Sequence, residues 1–315
     1  MTQLPILTLT LNPALDMATE VHDMLPGHKL RCSEPLLDPG GGGLNVSRAI
    51  KSLGGDSLAL VAIGGLTGDR LAGLIRAEGV TFLSILGPGE TRQSLTVNEA
   101  STGKQYRFML PGPVWGEAER ARVFTLLRAT ARPGGISVIS GSQPPGVPVD
   151  FPAQLAASMP ESRIVLDTSG ATLTEAVRHP IPGLDVLRMD GEEGDALAGR
   201  PLPTREDTAE FAQSLVRAGV ARTVIIARGA EGNVLADKDS RIFAKAAKVR
   251  VKSTVGAGDS FVAAFVLALS RGQSNAEALA LGSAAASAAV TTDATQLCRP
   301  EDVMRLLPEC VVSQV

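Results

Sequence analysis

Ser253-Thr254-Val255-Gly256-Ala257-Gly258-Asp259-Ser260 runs straight into an unbroken apolar stretch, residues 261–269. Two glycines and an aspartate stand where an irregular segment turns into a helix. Gly256 and Gly258 leave successive backbone N–H groups unobstructed. A helix start adds its own unpaired N–H groups and a partial positive charge. The combination suits a phosphate or a developing anion. A carboxylate at Asp259 inside such a site is costly unless it has chemical work to do. Taking a proton from a hydroxyl that attacks phosphorus is work of that kind. The ordinary alternative is a capped helix, with Asp259 or Ser260 as the cap. Two phosphate motifs are excluded. The chain has no Gly-x-x-x-x-Gly-Lys-Ser/Thr, and Phe261 stands where a dinucleotide fingerprint needs glycine.

A second glycine-rich signal lies upstream, Pro39-Gly40-Gly41-Gly42-Gly43-Leu44-Asn45-Val46-Ser47-Arg48-Ala49. Four consecutive glycines are entropically expensive to order. They are worthwhile where backbone approaches a ligand closely, here just before a helix; a flexible hinge is the alternative. Asn45 is placed to cap that helix or to donate to a sugar hydroxyl. Asn12-Pro13-Ala14-Leu15-Asp16 follows the first strand-like run. Open α/β sheets bind ligands at the carboxyl ends of their strands, so Asp16 is a candidate acceptor for vicinal hydroxyls. A turn residue after proline is the other reading.

The bulk numbers narrow the class. With 315 residues, 44% hydrophobic, the chain has material for a sizeable core. Charge is balanced, 30 basic residues against 33 acidic, and aromatics are only 3%. Neither a nucleic acid nor a membrane surface is the expected partner. Cys32, Cys298 and Cys310 show no Cys-x-x-Cys spacing, so neither a zinc site nor a disulfide framework is expected, and a reducing cytoplasm is the natural compartment. The N-terminus shows no basic n-region or small-residue cleavage site, and residues 4–11 read as a strand. The Ala-rich stretch 276–290 reads as a packed helix, not a membrane span.

Short Val/Ile/Leu-rich runs at 6–11, 57–63, 137–140, 164–167 and 223–228 read as strands buried on both faces. Helical patterns fall between and after them, at 44–53, 69–78, 117–130, 208–218, 260–270 and 276–290. Repeated βα order predicts a mostly parallel sheet covered on both faces. Residues 19–38, broken by Pro26, Gly27 and Pro35, and residues 91–110, with an alternating pattern and a Ser-Thr-Gly turn at 101–103, break the rhythm. They predict a small antiparallel patch, a lid formed by about 17–38 and 90–111 on a single domain spanning 1–315. Pairing with a second copy would bury its open face.

Other candidates carry less weight alone. Arg92 and Arg107 lie on the expected lid strands, and the guanidinium fork matches phosphate oxygens. Ala227-Arg228-Gly229-Ala230-Glu231-Gly232 is a strand-to-loop turn with room for a nucleotide, or an ordinary turn. Asp190, Glu192, Glu193 and Asp195 suit hydrated magnesium, or a solvated acidic loop. No nucleophile elbow or His-Glu-x-x-His surrounds His22, His28 or His179.

Taken as a pair, in this order and at this separation, the segments at 40–49 and 255–260 resemble the two signatures of the PfkB carbohydrate kinase family. The resemblance runs nearly end to end. Thr10-Leu11-Asn12-Pro13-Ala14-Leu15-Asp16 narrows it to the sugar-phosphate kinases. Gly27-His28-Lys29-Leu30-Arg31-Cys32, Gln105-Tyr106-Arg107-Phe108 and Ser140-Gly141-Ser142-Gln143-Pro144-Pro145-Gly146 look most like the branch acting on fructose 6-phosphate. The fold this implies is α/β, ribokinase-like and three-layered, with a mostly parallel central sheet and a small antiparallel β lid. The implied activity is ATP-dependent phosphorylation of fructose 6-phosphate at the 1-hydroxyl. Kinases of tagatose 6-phosphate or fructose 1-phosphate are the nearest alternatives. A non-catalytic regulator that binds nucleotide or sugar phosphate is the alternative of another class.

The resemblance also implies roles. Asp259 is similar to the catalytic base, and the N–H groups of Gly256, Ala257 and Gly258 to the anion hole. Asp16, Gly41, Gly42 and Asn45 match positions that hold sugar hydroxyls. Arg92, Arg107 and Ser142, with Lys29 from a partner subunit's lid, match positions around the sugar phosphate. Arg188, Ala227, Gly229 and Gly232 match the nucleotide side. Magnesium accompanies ATP, here near Asp190 and Glu193. Some relatives hold a monovalent cation, K+, through carbonyls near Ser253 and Val255. A homodimer through the lid is implied as well. Three departures stand out: Asp190 replaces the family's Asn in an Asn-x-x-Glu motif, Arg188 replaces a lysine, and Ala294-Thr295-Gln296 replaces Gly-Thr-Arg. The last bears on the monovalent-cation site.

Overall fold

The computed structural model describes residues 3–293 and 295–315. Its first half runs β1 (Ile6–Thr10), β2 (Ala14–Val21), β3 (Leu36–Gly40), α1 (Gly42–Ser52), β4 (Leu58–Ile63), α2 (Gly65–Ala77), β5 (Phe82–Leu86), β6 (Arg92–Glu99), β7 (Gln105–Met109), α3 (Glu117–Thr130) and β8 (Ile136–Ser140). The second half runs α4 (Phe151–Ala157), β9 (Arg163–Asp167), α5 (Gly170–Arg178), β10 (Leu184–Met189), α6 (Gly191–Ala198), α7 (Arg205–Arg217), β11 (Thr223–Ala227), β12 (Gly232–Asp237), β13 (Arg241–Lys245), α8 (Ala257–Ser270), α9 (Asn275–Ala289), α10 (Pro300–Leu306) and β14 (Val312–Gln314).

The large sheet has the order β14-β13-β12-β11-β10-β9-β8-β1-β4-β5. From β5 through β11 every neighbouring pair is parallel, and β12, β13 and β14 extend one edge antiparallel. Successive side chains of one strand feed opposite cores, as the two-residue period of a strand requires. Ile6, Val165 and Ile225 join the core under α1, α8, α9 and α10. Leu7, Leu166 and Ile226 join the core under α3, α4, α5 and α7. That double burial is why the strand sequences are continuous apolar runs, and it gives three layers.

Helix α8 is the most enclosed of the helices that shape the site. Every residue from Ser260 through Ser270 is buried, and Phe261 stacks on Phe265 with ring centroids 5.8 Å apart. Gly282 in α9 permits this packing, since a Cβ there would stand 2.9 Å from the Phe261 ring. The Ala-rich stretch is therefore a packed helix, as expected. Among the described residues no helix is long and apolar enough to cross a membrane.

The small sheet has the order β3-β2-β6-β7. Its outer pairings are antiparallel and its central pairing, β2 with β6, is parallel. Its strands leave Leu36, Phe108 and Met109 exposed. The expected strands and helices are all present, with ends shifted by a few residues. Two parallel strands, β5 and β10, and the antiparallel edge add to them.

Candidate active site

The N-terminus of α8 is set by Gly256, whose φ of 75° lies in the left-handed region. Gly256 is the cap, so neither Asp259 nor Ser260 is. Asp259 is the third helical residue. By position the N–H groups of the first turn, Ala257 and Gly258 included, have no intrahelical acceptor. Asp259 does not turn back onto them: its Oδ2 accepts a 2.8 Å hydrogen bond from Nδ2 of Asn45. Burial, and next the neighbouring Asp167 carboxylate, push the Asp259 pKa up to about 6. The Asn45 bond and the Arg188 charge pull the other way, and Asp16 adds a smaller upward push.

Asn45 is the fourth residue of α1, and Gly41, φ 122°, is that helix's cap. The capping reading for Asn45 is thus replaced by a bond to Asp259. The glycine run approaches the protein's own atoms. A Cβ at Gly40 would strike the Asp16 carboxylate, and one at Gly42 would strike the Ser140 hydroxyl and the Gly141 backbone. A Cβ at Gly43 would meet Leu9 and Thr10. These contacts pull the start of α1 down onto the ends of β1 and β8; a flexible hinge does not fit them.

Asp16 lies on β2, in register with Ser94 and Asp38, not in a turn and not on a strand of the large sheet. Burial raises its pKa against the pull of Arg92, the Ser94 bond, Arg48 and Arg107. Arg92 opens β6 and donates from Nε to the Asn12 carbonyl at 3.1 Å. Its Nη1 reaches the Ser94 hydroxyl at 3.3 Å. Asn12 in turn donates to Ser142 Oγ at 3.2 Å. Arg107, on β7, is exposed, and so is Lys29 in the segment between β2 and β3. Lys29 makes no ion pair among the described residues.

On the other side of Asp259, Arg188 of β10 donates to Asp167 Oδ1 at 3.2 Å. Ser140 Oγ donates to Asp167 Oδ2 at 3.1 Å. The Arg188 guanidinium lies against Gly258, where a Cβ would stand 3.1 Å from Nη1. Asp190 caps α6 and shares a capping box with Glu193: Asp190 Oδ1 accepts from the Glu193 N–H at 2.9 Å, and Glu193 Oε2 from the Asp190 N–H at 2.8 Å. Burial pushes the Glu193 carboxyl up. Asp195 instead accepts from the Leu202 N–H. Among the described residues no group of three or more His, Cys, Asp or Glu is arranged to hold a metal.

A cavity of about 260 Å³ beside this group is lined by Gly191, Glu192, Ala227 and Arg228, with Thr208 and Glu231. Of the expected nucleotide residues, only Ala227 lines it. Gly229, φ 54°, and Gly232, φ 137°, shape the turn behind it. Arg228 is committed to structure, donating to the carbonyls of Leu202, Pro203 and Thr204. Val255 donates its N–H to Ser253 Oγ at 3.2 Å; Ala294 lies outside the described residues. Larger hollows, of about 440 and 540 Å³, contain none of the expected site residues.

Asp167 and Arg48 were not among the residues singled out from sequence. Asp167 ends a strand-like run, the same signal that drew notice to Asp16. Arg48 carries no such signal.

Comparisons with known proteins identify the family. Residues 1–302 match the sequence pattern of the pfkB family carbohydrate kinase. The chain is 40% identical over 302 residues to the ATP-dependent 6-phosphofructokinase isozyme 2 of Mycobacterium tuberculosis H37Rv, covering 95% of this chain and 88% of that one. Its fold superposes on phosphofructokinase-2 from Escherichia coli in complex with fructose-6-phosphate with a TM-score of 0.90 at 35% identity, covering 98% and 99% of the two chains. For the same protein in complex with potassium the TM-score is 0.91 at 36% identity, covering 97% and 99%. The chain belongs to the pfkB family of carbohydrate kinases.

Proposed function

We propose that this protein is an ATP-dependent 6-phosphofructokinase, in which Asp259 takes the proton of the fructose 6-phosphate 1-hydroxyl. The observation that carries the reading is the Asp259 carboxylate itself. It is held by Asn45 at a glycine-capped helix N-terminus, and its pKa is lifted into the range of a working base. The 40% identity to a 6-phosphofructokinase supports the choice of sugar.

In this reading Asp16 and the Gly41–Gly42 backbone hold sugar hydroxyls beside Asn45. Arg92, Arg107 and Ser142 hold the sugar phosphate, joined by Lys29 of the partner subunit. The O–H bond at C1 breaks toward Asp259 as the oxygen bonds to the γ-phosphorus, and the γ-phosphorus–oxygen bond to ADP breaks in line. The N–H groups of Gly256, Ala257 and Gly258 face the charge that develops on the transferred group. Positioning supplies most of the rest. The adenosine part lies over Ala227 and the turn at Gly229 and Gly232, with Arg188 toward the phosphates.

Magnesium fits Asp190 and Glu193. It takes one or two carboxylates and fills its shell with water and substrate phosphates, so it does not need a third protein ligand. Bound there, it would neutralise phosphate charge. A monovalent cation at the carbonyls near Ser253 and Val255 is part of the proposal. So is the lid, residues 17–38 and 90–111, on one catalytic unit. A homodimer through that sheet would cover the exposed Leu36, Phe108 and Met109.

A coupled ADP-release assay over fructose 6-phosphate, tagatose 6-phosphate and fructose 1-phosphate tests the reading. The highest kcat/KM is expected on fructose 6-phosphate. Preference for another sugar changes the substrate and keeps the chemistry. ATP binding with no ADP release on any sugar would make the protein a regulator.

A further inference from the structure

Arg48 is the seventh residue of α1, and its side chain is only 8% exposed. Its fork grips Glu78, the residue closing α2, through Nε at 2.6 Å and Nη2 at 2.7 Å. Its remaining nitrogen, Nη1, makes two bonds in different directions. One goes to the Pro39 carbonyl on lid strand β3 at 2.6 Å. The other goes to Oδ1 of Asn45, one helical turn back, at 3.1 Å. Nη2 also faces the Asp38 carboxylate across 3.8 Å.

The consequence lies in the amide of Asn45. An asparagine amide has an acceptor end and a donor end of nearly the same shape, and only its partners decide which faces where. Asp259 needs the donor end. With Arg48 holding Oδ1, Nδ2 is left to face the carboxylate at 2.8 Å. Without Arg48 the amide is free to turn its oxygen toward Asp259, which is repulsive when the carboxylate is ionised. We propose that Arg48 is a positioning residue, which fixes the Asn45 amide so that it donates to Asp259 and ties that orientation to the lid strand through Pro39. Other charged groups facing Asp259 are Asp167 on β9, Arg188 on β10 and Asp16 on β2, and Glu193 on α6 faces Arg188. None of them contacts the Asn45 amide oxygen among the described bonds. Arg48 also faces Asp16, so its loss weakens sugar binding too, and kcat at saturating sugar phosphate is the quantity that isolates the relay.

The proposal rests on Asp259 being the base, and a double-mutant cycle separates the two. Arg48→Met keeps much of the packed stem and removes the donors. It is expected to lower kcat by about tenfold and to move the acid limb of kcat to higher pH by about half a unit or more. In an Asn45→Ala background the same change should cost less than about twofold, since the partner it acts through is gone. Arg48→Lys, which keeps the charge and one donor, is expected to recover part of both losses. If the Met variant does not fold, the Lys variant carries the cycle, with a loss of about threefold that vanishes beside Asn45→Ala. Full loss in both backgrounds, or an acid limb unmoved while thermal stability falls, overturns the role of Arg48. Near-normal turnover by Asp259→Asn would instead overturn the function from which the argument starts.

Discussion

Asn45 and Asp259 are 214 positions apart, and Nδ2 of one meets Oδ2 of the other at 2.8 Å. That bond stitches the first turns of α1 and α8 together, so the two glycine-rich segments form one site. Asp259→Asn keeps the shape and removes the base. It should lower kcat by ~10²–10⁴ on the best sugar phosphate. ADP release near the parent rate would remove Asp259 from the mechanism.

The same substitution should stabilise the fold above neutral pH. The folded-state pKa of Asp259 is raised from 3.8 to about 6. Folding therefore favours the protonated form. Its contribution is intact below pH 4 and is lost as pH rises through about 6. The shift corresponds to ~1–3 kcal/mol once the group is fully ionised. Thermal melts at pH 8 should place the Asn variant above the parent, and melts at pH 4.5 should narrow the gap. An equal gap at both values would mean the carboxylate carries no such penalty.

A base must be ionised to accept a proton, which sets the sign of the pH profile. kcat/KM should rise with pH along a single-group limb centred near pH 6 and level off above it. A profile flat down to pH 5 would show an unshifted carboxylate.

Arg92 supplies the leading pull on Asp16 and stands at the mouth of the small sheet. Arg92→Ala should raise KM for the sugar phosphate by ~10–100-fold, the worth of a lost charge-assisted contact, and change KM for ATP little. Equal effects on both substrates would point to a folding role.

The three thiols should separate cleanly. Cys32 is exposed, and Cys298 and Cys310 are buried. Burial pushes the Cys298 thiol up to about 11 and raises Cys310 as well. A thiol reagent at pH 8 should label one cysteine quickly and the other two only on unfolding. Fast labelling of two in the native protein would contradict the packing of the α10 region.

The central strands were legible because both their faces are apolar. β10 was not, because Asp185 and Arg188 interrupt it. Those charges are cancelled across the neighbouring strand, Arg163 with Asp185 at 2.7 Å and Arg188 with Asp167 at 3.2 Å. No local pattern reveals a pairing between residues some twenty positions apart. The antiparallel edge escaped for a related reason, since β14 gains meaning only from its register on β13. In the site, Asp259 and the glycine run were readable because glycine and a first-turn carboxylate are unusual choices. Arg48 has the place of an ordinary basic residue on an amphipathic helix, and only Glu78, Pro39 and Asn45 give it a role. Gly40 makes room for the protein's own Asp16 carboxylate, a contact between distant segments that no local pattern reveals.

Helix α8 is enclosed on every side from Ser260 through Ser270, and this decides how the protein fails. Its amides should exchange with solvent only when most of the molecule opens, whereas the four-stranded small sheet, whose edge strand β7 is largely exposed, should open locally. On heating, the sugar-side contacts should loosen well before the helix carrying Asp259 melts. Activity should therefore fade while most helical signal persists, and cooling from that range should restore it in full.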